Sequence, residues 1–424
     1  MLKFSDYIEK RDNNKLSNKS IAIFGLGIVG NIVLEVLKEK KIKVDYICDN
    51  NINYKKKHIE DVKIISNDEL ENLDKDINFF ICARYFKFIT SLLQSKGFKN
   101  LYKPTDLVSM REDDLVKYYK KDLMVLKHVD AIADLKIVRK VDHYIQRSME
   151  EEWVKENKLL IKSIDIQVTE KCSLKCKDCC NLMQYYEKPI DINLDVLLKS
   201  VDRLMTCVDG VDEFRVLGGD PFMNKELYKI VNKLVTYEKC KKVVVYTNAK
   251  FVPKGENLNC LKNKKIILEI TNYGKDSPAN DKFVETAKKE NIAYHSARIT
   301  NWSDSGRILP YTNKSEKELE TLFNNCCQSE LISLLHGKLY VCPFSANAAN
   351  LKAIPKNDKD EVNLLDEKLG NDVLRKKIRE LCYEKKYLTA CSYCNGREVT
   401  TAELPAAIQT KKPLQYPIQN KTIS

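Results

Sequence analysis

Short apolar runs alternate with amphipathic stretches in two separate parts of this chain, and each series predicts parallel strands joined by helices. In the first, Ser20 to Phe24 reads as a strand, Gly25 to Gly30 as a turn and Val33, Val36 and Leu37 as one helix face. Val44 to Cys48, Lys63 to Ile65 and Asn78 to Cys82 read as further strands. Residues 1–108 are therefore predicted to be a small parallel α/β domain. Residues 109–159 lack strand signals but carry helical spacing at Leu123, Leu126, His128, Ile132, Leu135, Val138 and Ile145, which predicts a helical linker. His128 and His143 lie on or beside that pattern and read as structural residues. The second series, residues 160–314, has strands at Ile164 to Val168, Glu213 to Leu217, Lys242 to Tyr246, Ile266 to Ile270 and Ile292 to His295. Helices between them are predicted at Leu194 to Met205, Lys225 to Thr236 and Asp281 to Lys289. That alternation implies a parallel barrel, open or closed, with its chemistry at the carboxyl ends of the strands.

The pattern changes again over residues 315–402. Ser315 and Glu318 form a capping-box sequence, Leu331 to Cys342 reads as a hairpin turning at Gly337, and a helix near Leu374 to Tyr383 precedes a cysteine-bearing loop. Residues 403–424, with Pro405, Pro413 and Pro417, read as a surface tail with little regular structure.

The apolar fraction of 43% and charged fraction of 31% fit a folded protein, and no apolar run approaches the roughly 20 residues of a membrane span. The opening Met1 to Asp6 has no signal-peptide core, so the expected location is cytoplasmic, with no membrane partner. The net charge of +12 favours anionic partners or simply a solvated lysine surface. No interleaving of aromatics points to specific nucleic acid. Fifteen cysteines in a reducing compartment indicate metal ligands before disulfides. Cys48, Cys82, Cys207, Cys240 and Cys260 are scattered, and the others gather at 172–180 and 326–394.

Cys172, Cys176 and Cys179 place three soft thiolate donors in one loop after a strand, with no fourth ligand at matching spacing. Three thiolates suit a 4Fe-4S cluster with one iron left open, whereas structural zinc is normally closed by four ligands. Cys180 adjoins Cys179 too closely to serve easily as the fourth. This spacing resembles that of the radical S-adenosylmethionine enzymes, over roughly residues 160–300. The resemblance implies a partial TIM-type barrel, S-adenosyl-L-methionine on the open iron and hydrogen abstraction from the substrate. Position 178 is usually aromatic in that family and is Asp178 here, so adenine stacking must come from elsewhere. Gly218, Gly219, Asp220 and Pro221 resemble the family motif that receives the cofactor's amino group. A plain strand-to-helix turn is the alternative. Thr247 and Asn248 match its ribose-contacting position, and Glu269, Asn272 and Arg298 are further cofactor-binding candidates.

Cys327, Gly337, Cys342, Cys391 and Cys394 resemble the shortened SPASM/twitch-like auxiliary domain of dehydrogenating relatives. A second 4Fe-4S cluster is expected on Cys327, Cys342, Cys391 and Cys394, with Cys326 or Cys382 as substitutes and structural zinc as the alternative. Gly25, Gly27, Gly30 and Asp49 have the context of a nucleotide-binding turn, but a tight packing turn in a docking module is the reading favoured over it. Residues 1–108 resemble small Rossmann-like domains joined to sugar-modifying and polysaccharide-assembly enzymes.

By strand alternation Asp165 and Gln167 share one side of the first barrel strand and Arg215 lies on the second, which makes them candidate catalytic residues. Arg215 holding substrate and Arg215 paired with Asp165 are both consistent with the pattern. Cys180, Cys207 and Cys326 are candidate hydrogen donors. The expected function is radical oxidation or epimerisation of a sugar, nucleotide sugar or sugar-derived metabolite, with a flavodoxin- or ferredoxin-type electron donor. The alternatives are modification of a peptide or protein and, in a different class, an electron-transfer protein that leaves S-adenosylmethionine intact.

Overall fold

The computed structural model describes residues 1–12, 19–49, 62–83, 86–108, 144, 148–149, 153–398 and 401–417. Most of the expected linker, including His128 and His143, lies outside the described residues. The chain divides into two compact units, Met1–Glu156 and Asn157–Ser424.

In the first unit, β1 (Leu2–Lys3), β2 (Ile21–Phe24), β3 (Tyr46–Cys48), β4 (Lys63–Ile65), β5 (Asn78–Ile81) and β6 (Leu101–Lys103) form a six-stranded sheet. Its order is β1-β6-β5-β2-β3-β4, with every pairing parallel. Ile21 to Phe24 and Asn78 to Ile81 are buried at every position, as expected of central parallel strands covered on both faces. Helix Ile28–Glu39 packs Val29, Ile32, Val33, Val36 and Leu37 into that core.

The second unit contributes β7 (Leu160–Gln167), β8 (Gly210–Leu217), β9 (Cys240–Thr247), β10 (Ile266–Asn272), β11 (Tyr294–Arg298) and β12 (Asn301–Ser303). It continues through β13 (Ile332–Leu335), β14 (Lys338–Val341), β15 (Glu361–Asn363) and β16 (Glu403–Pro405). An open eight-stranded sheet runs β11-β10-β9-β8-β7-β13-β14-β15. The pairs from β11 to β13 are parallel, and the last two pairings are antiparallel. The cysteine-rich region thus shares one sheet with the strands before it, because β13 pairs directly with β7. Helix Leu194–Cys207 buries Leu197, Val201 and Leu204 and is capped by Asn193. The capping box at Ser315 and Glu318 forms and opens helix Glu316–Asn325.

Residues after 403 differ from the sequence expectation of a loose surface tail. β16 pairs antiparallel with β12, Cys176 bridges to Gln409, and Ala407 is buried. Tyr416 reaches Leu351 O at 2.9 Å and packs edge-on against Tyr185. These are backbone and single-side-chain attachments that need no periodic apolar pattern.

Candidate active site and its cysteine groups

Strand β7 ends at Gln167 and the chain runs through Thr169 into the loop that carries Cys172, Cys176 and Cys179. Gly219 N–H donates to Thr169 O at 3.0 Å and Asp220 N–H to Lys171 O at 2.9 Å, so the turn after β8 closes on the start of that loop. A Cβ at Gly218 would lie 2.1 Å from Thr169 O, and one at Gly219 would lie 2.2 Å from Lys171 O. Glycine is required there because another backbone fills the space a side chain would take.

Two of the three sulfurs accept hydrogen bonds. Leu174 N and Asn248 Nδ2 point to Cys172 Sγ at 3.4 and 3.6 Å, and Gln409 Nε2 points to Cys176 Sγ at 3.2 Å. Burial nevertheless pushes Cys172 up to about 12, Cys176 up to about 11 and Cys179 well above the ordinary thiol range. Buried sulfur with inward N–H donors suits a thiolate whose charge is balanced by bound iron, and loading would release the thiol protons.

The same loop lines a cavity of about 240 Å³ shared by Cys172, Cys176, Cys179, Cys180, Gly218, Gly219, Thr247, Asn248, Asp165 and Arg215. Arg215 Nε lies 3.3 Å from Asp165 Oδ1, and its guanidinium sits 4.9 Å from the Tyr246 ring centre. Burial pushes Asp165 up to about 6, Arg215 pulls it down and Glu213 pushes it up. Asp220 turns its carboxylate to Thr247 Oγ1 and the Asn248 N–H, both at 2.9 Å, and to the Phe222 N–H at 3.1 Å. Its charge therefore organises the ends of β8 and β9.

The family described as 4Fe-4S single cluster domain matches residues 165–292, which contain this loop and turn. That match spans under a third of the chain and coincides with the segment whose cysteine spacing resembles the radical S-adenosylmethionine enzymes. Residues 17–100 match the C2185-like N-terminal family. GTP 3',8-cyclases from two Helicobacter pylori strains, HPAG1 and ATCC 700392 / 26695, are each 27% identical, over 138 and 137 residues. Each alignment covers 31% of this chain and 40% of the relative, so the chain spans less than half the length of the curated relatives it matches. Among solved structures, BtrN in complex with AdoMet and 2-DOIA is 18% identical with a TM-score of 0.35, covering 61% of this chain and 99% of BtrN. Streptococcus suis SuiB bound to S-adenosylmethionine is 14% identical with a TM-score of 0.29, covering 51% of this chain and 50% of SuiB.

The other residues expected to bind the cofactor sit outside the cavity. Glu269 meets His295 Nδ1 at 2.6 Å, and Asn272 receives the Gly274 N–H at 2.8 Å and Arg298 Nη1 at 3.5 Å. Gln167 is fully buried, and its amide oxygen and nitrogen have no hydrogen-bond partner among the described residues. Pro221 starts a buried single turn under Asp220. Asp178, by contrast, lines the cavity, where it is buried and held by Arg307 Nε at 2.7 Å. Tyr273 and Trp302, which the sequence patterns did not single out, supply aromatic surface to the cavity, with their rings edge to face at 5.5 Å.

All fifteen cysteines are free thiols. Among the described residues no group of three or more His, Cys, Asp or Glu side chains converges as the shell of one metal ion. In the later group, burial pushes Cys342 well up, with Cys326 and Cys394 adding to it. Burial also pushes Cys391 up to about 12, again with Cys394 and Cys326 adding. Cys326 thus lies within electrostatic reach of the other three. Cys327 instead accepts from Gln328 Nε2 at 3.6 Å, and Gln328 faces the cavity. Of the candidate hydrogen donors Cys180 lines the cavity, while Cys207 bonds Asn371 O at 3.7 Å.

In the other unit, Gly25 makes a left-handed turn with φ +91°, and a Cβ at Gly30 would lie 2.0 Å from Gly25 O. A Cβ at Gly27 would meet nothing within 4 Å, and Asp49 Oδ2 accepts the Leu26 N–H at 2.7 Å. Packing accounts for Gly25 and Gly30.

Proposed function

We propose that the chain is an enzyme in which Cys172, Cys176 and Cys179 hold a 4Fe-4S cluster with S-adenosylmethionine. It removes a hydrogen atom from a small-molecule or peptide substrate. The observation that carries this reading is the single cavity onto which the three thiols, the Gly218–Gly219 turn and the Asp165–Arg215 pair all open. When bound, the cluster and cofactor supply reductive carbon–sulfur cleavage and with it a hydrogen acceptor. Thr247 and Asn248 position the cofactor's ribose, and Tyr273 and Trp302 give adenine the aromatic contact that Asp178 does not. Arg215, steadied by Asp165 and Tyr246, holds hydroxyl or anionic groups of the substrate and favours a sugar or sugar-derived metabolite.

Cys326, Cys342, Cys391 and Cys394 would hold an auxiliary 4Fe-4S cluster, with Cys326 in place of the expected Cys327, and such a group would supply an electron acceptor for an oxidation. The peptide reading is favoured by the β13–β14 hairpin that leads into Cys342, and SuiB, one of the similar structures, has been solved bound to precursor peptide SuiA.

Anaerobically reconstituted protein is expected to form 5'-deoxyadenosine on reduction, and Cys176→Ala to abolish it. A metabolite screen and a peptide screen then separate the two substrate classes by which one raises 5'-deoxyadenosine output. Bound iron with S-adenosylmethionine left intact under every condition would sink the proposal.

A further inference from the structure

The strap formed by residues 407–410 crosses the first cysteine loop through an isolated antiparallel bridge at Gln409. Lys177 N–H donates to Ile408 O and Thr410 N–H to Lys175 O, both at 2.7 Å, bracketing the Cys176–Gln409 bridge. Between these bonds the Gln409 side chain turns into the loop. Its Oε1 accepts the Lys175 N–H at 2.7 Å, which fixes the amide's orientation, because a backbone N–H can face only the oxygen. Nε2 is thereby left to donate to Cys176 Sγ at 3.2 Å and to Ala407 O at 2.7 Å. Ala407 packs with Leu174 and Cys176 in a small apolar cluster that Trp302 and Tyr273 border. The strap thus covers the sulfur and supplies it with an oriented N–H donor.

We propose that Gln409 is a positioning residue of the first cluster that sets its reduction potential, and that the strap shields the cluster from oxygen. This rests on the reading that Cys172, Cys176 and Cys179 hold that cluster. Reduction adds negative charge that spreads onto the ligating sulfurs. A hydrogen bond donated to one of them stabilises the reduced form more than the oxidised form and raises the potential. The donor comes from a residue 233 positions away, so the effect depends on the strap being seated.

The test uses the full chain, reconstituted anaerobically, with the cluster followed by electron paramagnetic resonance during a redox titration. Gln409→Met keeps the bulk and removes both the donor and the acceptor, while Gln409→Glu keeps the acceptor for Lys175 and puts negative charge by the sulfur. The midpoint is expected to fall from wild type to Gln409→Met and further to Gln409→Glu. Thr410→Pro, which deletes one bridging N–H, is expected to bleach several-fold faster in air. Clusters that form in all variants with equal midpoints and equal bleaching would overturn the inference and leave the cluster assignment standing. A wild-type protein that assembles no cluster on this loop would overturn both.

Discussion

The two cysteine groups of the second unit differ in the reach of their side-chain donors. At the first, beside the local Leu174 N–H on Cys172, side-chain donors reach Cys172 and Cys176 from residues 76 and 233 positions away. At the second, Cys394 receives the Gly396 N–H from two positions away, and the neighbouring Cys327 the Gln328 amide from one. Distant side chains thus help complete the early loop, while the sulfur donors of the later region are local. A sulfur whose donors come from distant segments is open to adjustment by substitutions far away in sequence, and one served by its adjacent backbone is not.

The largest test of that contrast concerns which cysteine belongs to the later group. Cys326→Ala is expected to remove one cluster's complement of iron, whereas Cys327→Ala retains it, measured as iron and labile sulfide per chain. The reverse result would restore Cys327 as the ligand and break the proposed ligand set.

A smaller effect separates the glycines that clasp the first loop from those elsewhere. Gly219→Ala forces a methyl to within 2.2 Å of Lys171 O and is expected to cost about 2–3 kcal/mol in denaturant unfolding. Gly27→Ala, with open space at its Cβ, is expected to stay within about 0.5 kcal/mol of wild type. Equal costs would mean that the clasp on the loop contributes little.

The smallest expected effect is the pH response at the cavity. Burial raises Asp165 to about 6, so the fold favours its protonated form. Its contribution is complete below the ordinary carboxylate range and is lost as pH rises through about 6. Wild-type stability, referenced to Asp165→Asn, is expected to fall by roughly 1–3 kcal/mol between about pH 4 and pH 7. A flat difference would show that Arg215 keeps Asp165 ionised throughout.

The central strands of both sheets, the turn at Gly337, the capping box at Ser315 and the loop of Cys172, Cys176 and Cys179 were legible because each carries a local signature. Short continuous apolar runs between amphipathic stretches mark the central parallel strands, and spacing marks the thiols. β1 was not legible because Leu2–Lys3 is a short edge strand held by backbone pairing to β6. Gln409 was not either, since a lone amide in a proline-bearing stretch gains meaning only when its register opposite Lys175 and Cys176 is known. Glu269 lies in the middle of β10 and Arg298 ends β11, where nearby polar groups engage both, and strand position alone does not reveal such a neighbour.

Cys176 and Gln409 also have different birth times. A ribosome adding roughly 5–20 residues per second needs on the order of 10–50 s to pass from one to the other. Throughout that interval the nascent loop has its thiols but lacks its cover. On the proposed ligand assignment, iron delivered before Gln409 has been made would meet a loop that lacks this donor and its cover.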